Sequence, residues 1–209
     1  MNIKFKINEI FVSIQGEGLL LGKVMNFIRF TKCNLNCKWC DTSFKTGSYL
    51  SLEEILNKLN RKLEWVSLTG GEPMLEKNLF QLIERLKQEG YKIQLETNGT
   101  LYDEEIFNAV DFISLDIKPP SSGNPILEEK ALNYCLKNQN RSQLKIVIQD
   151  EADLNFFLSI YKHHKNWILQ PEFSVMGKLD YLGLIEKIPK EIIKDIRIIP
   201  QIHKILNVK

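Results

Sequence analysis

The sequence predicts an α/β fold, a partial, open β/α barrel of TIM-like type with parallel strands. Three observations predict it. Short apolar, β-branched or aromatic runs alternate with helix-period segments along most of the chain. That order joins parallel strands through right-handed crossovers. The chain has 209 residues, whereas a full eight-fold barrel typically needs about 250. A doubly wound open sheet is the rival architecture. Both place ligands at the C-terminal ends of the strands.

The first predicted strand is Val24–Phe30. Ser51 and Glu54 then form a candidate capping box, and Leu52, Ile55, Leu56 and Leu59 share one helix face. Residues 65–68 read as the next strand. A helix carrying Leu75, Leu79, Leu82, Ile83 and Leu86 follows and stops at Gly90. Residues 91–95 and 112–117 read as two further strands, and 118–125 (KPPSSGNP) is the most loop-like stretch. A helix starts after Asn124-Pro125. Strand 144–148, a helix carrying Leu154, Phe157, Leu158 and Tyr161, and strands 167–169 and 196–199 complete the series. With no internal repeat and no domain-scale linker, residues 1–209 read as one domain.

Composition removes several classes. The chain is 44% hydrophobic and 26% charged, which excludes a disordered tail, a collagen-like repeat and a coiled coil. Lysine plus arginine is 28 against 26 acidic residues, a net charge of +2. That gives no reason to expect a nucleic-acid partner held by phosphate contacts. The longest stretch without a charge runs only from Pro119 to Leu127, and Met1 to Lys6 holds no apolar signal core. No membrane association is expected, and the location expected is cytoplasmic.

There are four cysteines, and Cys33, Cys37 and Cys40 are crowded into one loop directly after strand Val24–Phe30. In a reducing compartment that crowding points to a metal or cluster rather than to disulfides. A structural zinc site wants four ligands at short spacing, and the nearest downstream histidine is His163. A ferredoxin-like electron-transfer protein is a stronger rival, because such clusters can use a distant fourth cysteine, here Cys135. Yet Cys135 shares a helix face with Leu127, Ala131 and Leu132, which favours a core role. Three cysteines on a four-iron cluster leave one iron open, a position that the amino and carboxylate groups of an amino acid would fill.

The Cys-x3-Cys-x2-Cys loop resembles that of the radical S-adenosylmethionine (SAM) superfamily. Thr69-Gly70-Gly71-Glu72-Pro73 follows the next strand and resembles that superfamily's glycine-rich motif, in which glycines let backbone groups approach SAM. Within the superfamily, the chain resembles the 7-carboxy-7-deazaguanine synthases along nearly its whole length. The matching segments include Glu9 to Gly18, Arg29-Phe30, Cys40-Asp41-Thr42, Glu96-Thr97-Asn98-Gly99, Leu144 to Ile148, Gln170-Pro171 and Gln201 to Asn207.

The resemblance implies a radical SAM core and the ring contraction of 6-carboxy-5,6,7,8-tetrahydropterin to 7-carboxy-7-deazaguanine, with loss of ammonia, on the way to deazapurines such as queuosine. It implies Cys33, Cys37 and Cys40 as ligands of a 4Fe-4S cluster. Trp39, Cys40, Asp41, Gly71, Glu72, Asn98, Asp116, Lys118 and Gln170 fall where the family contacts SAM. Ile14, Gln15, Gly16, Glu17, Arg29, Thr69 and Lys209 fall where it contacts the pterin. Thr42 falls where it ligates Mg²⁺. Some members carry Ser-Pro-Lys where this chain has Asp116-Ile117-Lys118, so only Lys118 matches there. The family also implies a homodimer and a flavodoxin or ferredoxin as electron donor. Taken singly, Arg29 reads as a surface charge, Gln15 to Gly18 as a flexible loop and His203 as a structural histidine. The nearest functional rival is a radical SAM activase that places a glycyl radical on a partner protein.

Overall fold

The computed structural model describes residues 3–40, 42 and 46–209. In chain order these form β1 (Lys4–Ile14), β2 (Val24–Phe30), β3 (Ser48–Ser51), α1 (Leu52–Leu56), β4 (Trp65–Gly70), α2 (Leu79–Gln88), β5 (Lys92–Thr97) and α3 (Glu104–Ala109). They continue as β6 (Phe112–Ile117), α4 (Glu129–Lys137), β7 (Ser142–Ile148), α5 (Glu151–Ile160), β8 (Trp167–Pro171), α6 (Tyr181–Glu186), β9 (Ile196–Ile198) and α7 (Ile202–Ile205). All nine strands lie in one sheet of order β3-β1-β2-β4-β5-β6-β7-β8-β9. The strands from β2 through β4 to β9 pair parallel in sequence order. The sheet does not close, as expected of a shortened barrel.

Two strands depart from the all-parallel expectation. β1 pairs antiparallel with β2, and β3 pairs antiparallel with β1. The segment read as a family-like loop therefore begins as a long strand. Its alternation is interrupted by a register shift between Ile7 and Glu9, which hides the period of two. The second predicted helix also divides. Leu75 sits in a separate 3-10 turn (Pro73–Leu75), and α2 starts only at Leu79. Leu59 lies beyond the end of α1, buried in the turn that follows.

Local chemistry explains the element ends. Ser51 and Glu54 make the capping box in full: Glu54 N donates to Ser51 Oγ, and Ser51 N donates to the Glu54 carboxylate. Asp103 and Asp150 accept from the first-turn amides of α3 and α5. Gly90 ends α2 at φ +87°, a left-handed conformation that favours glycine.

The sheet separates two environments by simple alternation. On one face Ile28 and Phe30, Val66 and Leu68, Ile93 and Leu95, Ile113 and Leu115, Leu144 and Ile146, and Trp167 and Leu169 pack into the core beneath the helices. The residues between them face the other way. They include Arg29, Thr69, Glu96, Asp116, Lys145 and Gln170, and they line a basin of about 630 Å³. A polar residue at every second position inside an apolar run is the sequence signature of this open face.

Candidate active site

The basin gathers nearly all the residues singled out from the sequence. Its lining includes Cys33, Cys37, Trp39, Cys40, Thr42, Gly71, Asn98, Asp116, Lys118 and Gln170. It also includes Ile14, Gln15, Gly16, Glu17, Arg29, Thr69 and Lys209. Asp41 lies outside the described residues. Glu72, expected at the SAM contact through its side chain or nearby carbonyls, is the one described exception: its side chain does not line the basin. It is buried and turned inward, accepting from Met74 N at 3.0 Å, Thr97 Oγ1 at 2.8 Å and Asn98 N at 2.7 Å. Glu72 thus staples the end of β4 to the end of β5.

Three strand ends hold the cysteine loop. Gly71 N donates to Phe30 O and Glu72 N to Lys32 O. Asn98 Nδ2 donates to Asn34 Oδ1 at 2.9 Å and approaches Cys33 Sγ at 3.8 Å, so this amide supports the loop as well as the basin. Past β6, Lys38 N donates to Ser122 O, Trp39 Nε1 donates to Ser121 Oγ, and Lys118 Nζ lies 5.0 Å from the Trp39 ring centroid. Burial pushes the Cys33 and Cys37 thiols up, partly offset by the Lys118 ammonium. Metal loading must therefore displace protons.

The opposite wall is the loop after β1. It is pinned rather than flexible. Gln15 N donates to Lys23 O, Gly22 N to Gln15 O, and Ile202 N of α7 to Gly16 O. The Gln15 side chain is bonded inside the protein: Nε2 donates to Gln94 and Glu96, and Oε1 accepts from Glu17 N. These bonds fix the loop where it lines the basin. Arg29 Nε donates to Glu9 at 3.0 Å and Nη1 to Thr42 Oγ1 at 3.0 Å. Lys209 Nζ donates to Glu9 Oε2 at 2.5 Å, which brings the last residue to the same corner. The Thr69 hydroxyl donates to Glu96 Oε2, so its lone pairs are what it offers the basin. Glu96 carried no role in the sequence reading. Its signal was a charge near the end of an apolar strand. His203, expected to be structural, also lines the basin and packs against Gly16.

The site fits a cluster and an amino-acid ligand. The three thiols share one lining with the Lys118 cation, suited to an anionic centre. Among the described residues, no three His, Cys, Asp or Glu side chains already stand together as a metal-holding group. A Cβ on Gly71 would lie 1.8 Å from Lys32 O, so only glycine lets the two loops meet there. Gln170 Oε1 and Asp116 Oδ1 are buried with no partner among the described residues. Both are acceptors, and both suit hydroxyl or ammonium donors. Cys135 sits on the core-facing side of α4, and burial pushes its thiol up to about 12. It is not among the basin residues, which removes the ferredoxin-like reading.

Burial pushes the Glu72 carboxyl up to about 7, against the three donors that favour its charged form. The folded state therefore holds a proton that the unfolded chain has lost. Stability should fall as pH rises from about 5 to 8, by about 3 kcal/mol through this group. Urea unfolding of the cluster-free protein at both pH values checks this, with Glu72→Gln giving the flatter profile. Equal slopes would contradict it.

Residues 27–119 match the model of the radical SAM superfamily. A 7-carboxy-7-deazaguanine synthase of Thermoplasma acidophilum is 34% identical over 210 residues, covering 96% of this chain and 96% of that protein. One from Aquifex aeolicus is 34% identical, covering 97% and 94%. In structure, the chain is similar to QueE from Escherichia coli, with a TM-score of 0.70, 24% identity and coverage of 95% and 94%. Streptococcus suis SuiB gives a TM-score of 0.57 at 13% identity, over 81% of this chain and 47% of that one. Both structural likenesses bear on the fold alone.

Proposed function

The chain belongs to the 7-carboxy-7-deazaguanine synthase family of radical SAM enzymes, and from that membership we propose that its basin converts 6-carboxy-5,6,7,8-tetrahydropterin to 7-carboxy-7-deazaguanine with loss of ammonia. One observation carries the reading: a single basin holds the cysteine wall, a pinned loop with acceptors across from it, and on β2 the Arg29 guanidinium, suited to a pterin carboxylate.

The chemistry that a bound 4Fe-4S cluster and SAM supply is reductive cleavage of a carbon–sulfur bond, which starts hydrogen abstraction from the substrate. The chain supplies position and exclusion of water. Cys33, Cys37 and Cys40 would hold the cluster. Gly71, Asp116, Lys118 and Gln170 would hold SAM, with Asn98 bracing the cysteine loop. Arg29 would fix the substrate carboxylate as a fork donor. Glu17 and Thr69 would accept from the N–H edge of the aminopyrimidinone. Phe27 and Val147 give the basin an apolar floor.

Thr42 is proposed as a ligand of Mg²⁺. Its hydroxyl accepts from Arg29 in this arrangement, so the ion would need substrate oxygens and water to complete its shell. Thr42→Ala should weaken the Mg²⁺ response of turnover and leave the cluster spectrum as it is; an unchanged Mg²⁺ response would sink that role. The reading also includes a flavodoxin or ferredoxin as electron donor, a homodimer and a cytoplasmic location. Among the described residues no helix is long and apolar enough to cross a membrane.

The test is joint dependence on SAM and the pterin. Loss of ammonia leaves the oxidation state of the pterin unchanged, so reconstituted protein with reductant and Mg²⁺, free of oxygen, should release ammonia from the carboxytetrahydropterin only when SAM is present, with no stoichiometric release of methionine. An activase would respond to a partner protein and ignore the pterin, and that result would overturn the reading.

A further inference from the structure

Lys145 has no role in the reaction as described, yet it is among the most enclosed charges in the protein. It interrupts the apolar run of β7, and its side chain is 8% exposed. Lysine is almost never this buried without a partner. Alternation along β7 turns Gln143 and Lys145 to the basin side and Leu144 and Ile146 to the core.

Both basin-side residues grip the loop after β1. Gln143 Oε1 accepts from Leu19 N at 2.7 Å. Gly18 lies so close that a Cβ there would meet Gln143 Nε2 at 2.0 Å. That grip is on backbone. Lys145 instead holds a side chain: its Nζ donates to Glu17 Oε2 and lies 3.0 Å from Asp116 Oδ2. Gln201 Nε2 completes the cradle, donating to Glu17 Oε1 at 2.7 Å. Asp116 Oδ2 has a second cation, Lys118 Nζ, also at 3.0 Å. The arrangement is asymmetric. Without Lys145, Asp116 keeps Lys118, whereas Glu17 loses the one cation paired with it among the described residues.

We propose that Lys145 is a positioning residue for substrate recognition, holding the Glu17 carboxylate in the one orientation from which it accepts the N–H donors of the pterin. This rests on the reading of Glu17 as a substrate contact. Burial pushes the Glu17 carboxyl up, and Lys145 together with the Gln201 hydrogen bond holds it below its ordinary value. A buried ion pair adds little net stability, so its value here lies in position.

The test compares reconstituted parent, Lys145→Met, Lys145→Arg, Glu17→Gln and the double variant, with SAM and the carboxytetrahydropterin. Losing one partner of a buried charge pair costs enough to weaken binding by about 30-fold or more. In Lys145→Met the KM for the pterin should rise by at least about 30-fold, with kcat and the KM for SAM each within about 3-fold. Lys145→Arg should recover most of the loss. In the Glu17→Gln background, Lys145→Met should change the pterin KM by less than about 3-fold, because its route of action is already gone. This arm stands even if Lys145→Met alone does not fold, since the double variant leaves no uncompensated charge. An equal effect in both backgrounds, a SAM KM that moves with the pterin KM, or a Lys145→Met pterin KM within about 3-fold of the parent would overturn the proposal. A parent that binds SAM but never turns over the pterin would overturn the functional reading instead.

Discussion

Cys37→Ala protein, loaded with iron and sulfide without oxygen, is expected to lose product formation to below detection. It should also lose any iron–sulfur absorption that responds to SAM. The reason is the count of thiols at the basin. Cys33, Cys37 and Cys40 line it, and Cys135 does not. No fourth thiol is in reach to replace a lost one. The fold should survive, because the cysteine loop is held by other groups: Gly71 N on Phe30 O, Glu72 N on Lys32 O and Lys38 N on Ser122 O. Circular dichroism of the cluster-free variant should match the parent. Cys135→Ala is the control. That thiol points from α4 into the hydrophobic core, so its removal should cost about 1 kcal/mol of stability and leave the cluster and its SAM response intact. A SAM-responsive cluster in Cys37→Ala, or its loss in Cys135→Ala, would mean that the ligand set is wrong.

Gly71→Ala should lower kcat/KM by about 100-fold or more, with the variant still folded. The added methyl would sit 1.8 Å from Lys32 O and 3.0 Å from Cys33 N. These are backbone atoms and cannot swing aside. Either the glycine-rich strand end or the cysteine loop has to move by an ångström or more, which also strains the Glu72 N to Lys32 O bond. Displacements of that size at a reacting centre typically cost about two orders of magnitude. Gly90→Ala offers a contrast, since nothing lies within 4 Å of a Cβ there; its effect should be confined to stability, through the left-handed φ of +87°. Steady-state kinetics beside urea midpoints separate the two. Comparable activity losses in both variants would contradict this account.

The sequence carried the parallel part of the sheet clearly, because every strand from β4 to β8 is an apolar run and all but the β5–β6 pair are separated by helix signals. β1 was harder to see. Its residues Phe5 and Ile7 alternate with lysines, but the register shift before Glu9 breaks the pattern. α3 is only six residues long, with Ile106 and Phe107 as its buried pair, too short for a period to show. The site was legible where chemistry demands rare residue types at fixed spacing, as in the cysteines and the Gly70-Gly71 turn. It was not legible where the question was which way a side chain points. Glu72 lies in the expected place but turns into the protein. Glu96 and Lys145 lie in segments that resemble the family, yet only pairing across neighbouring strands brings them beside Thr69 and Glu17.

The central claim is that one basin performs a pterin ring contraction, and product identity tests it most directly. Reconstituted protein with SAM, Mg²⁺, reductant and 6-carboxy-5,6,7,8-tetrahydropterin, kept free of oxygen, should yield 7-carboxy-7-deazaguanine and ammonia in equal amounts. Mass spectrometry and an ammonia assay on the same reaction would read both. A protein with an intact cluster that cleaves SAM in the presence of the pterin, yet forms no deazaguanine, would contradict the account.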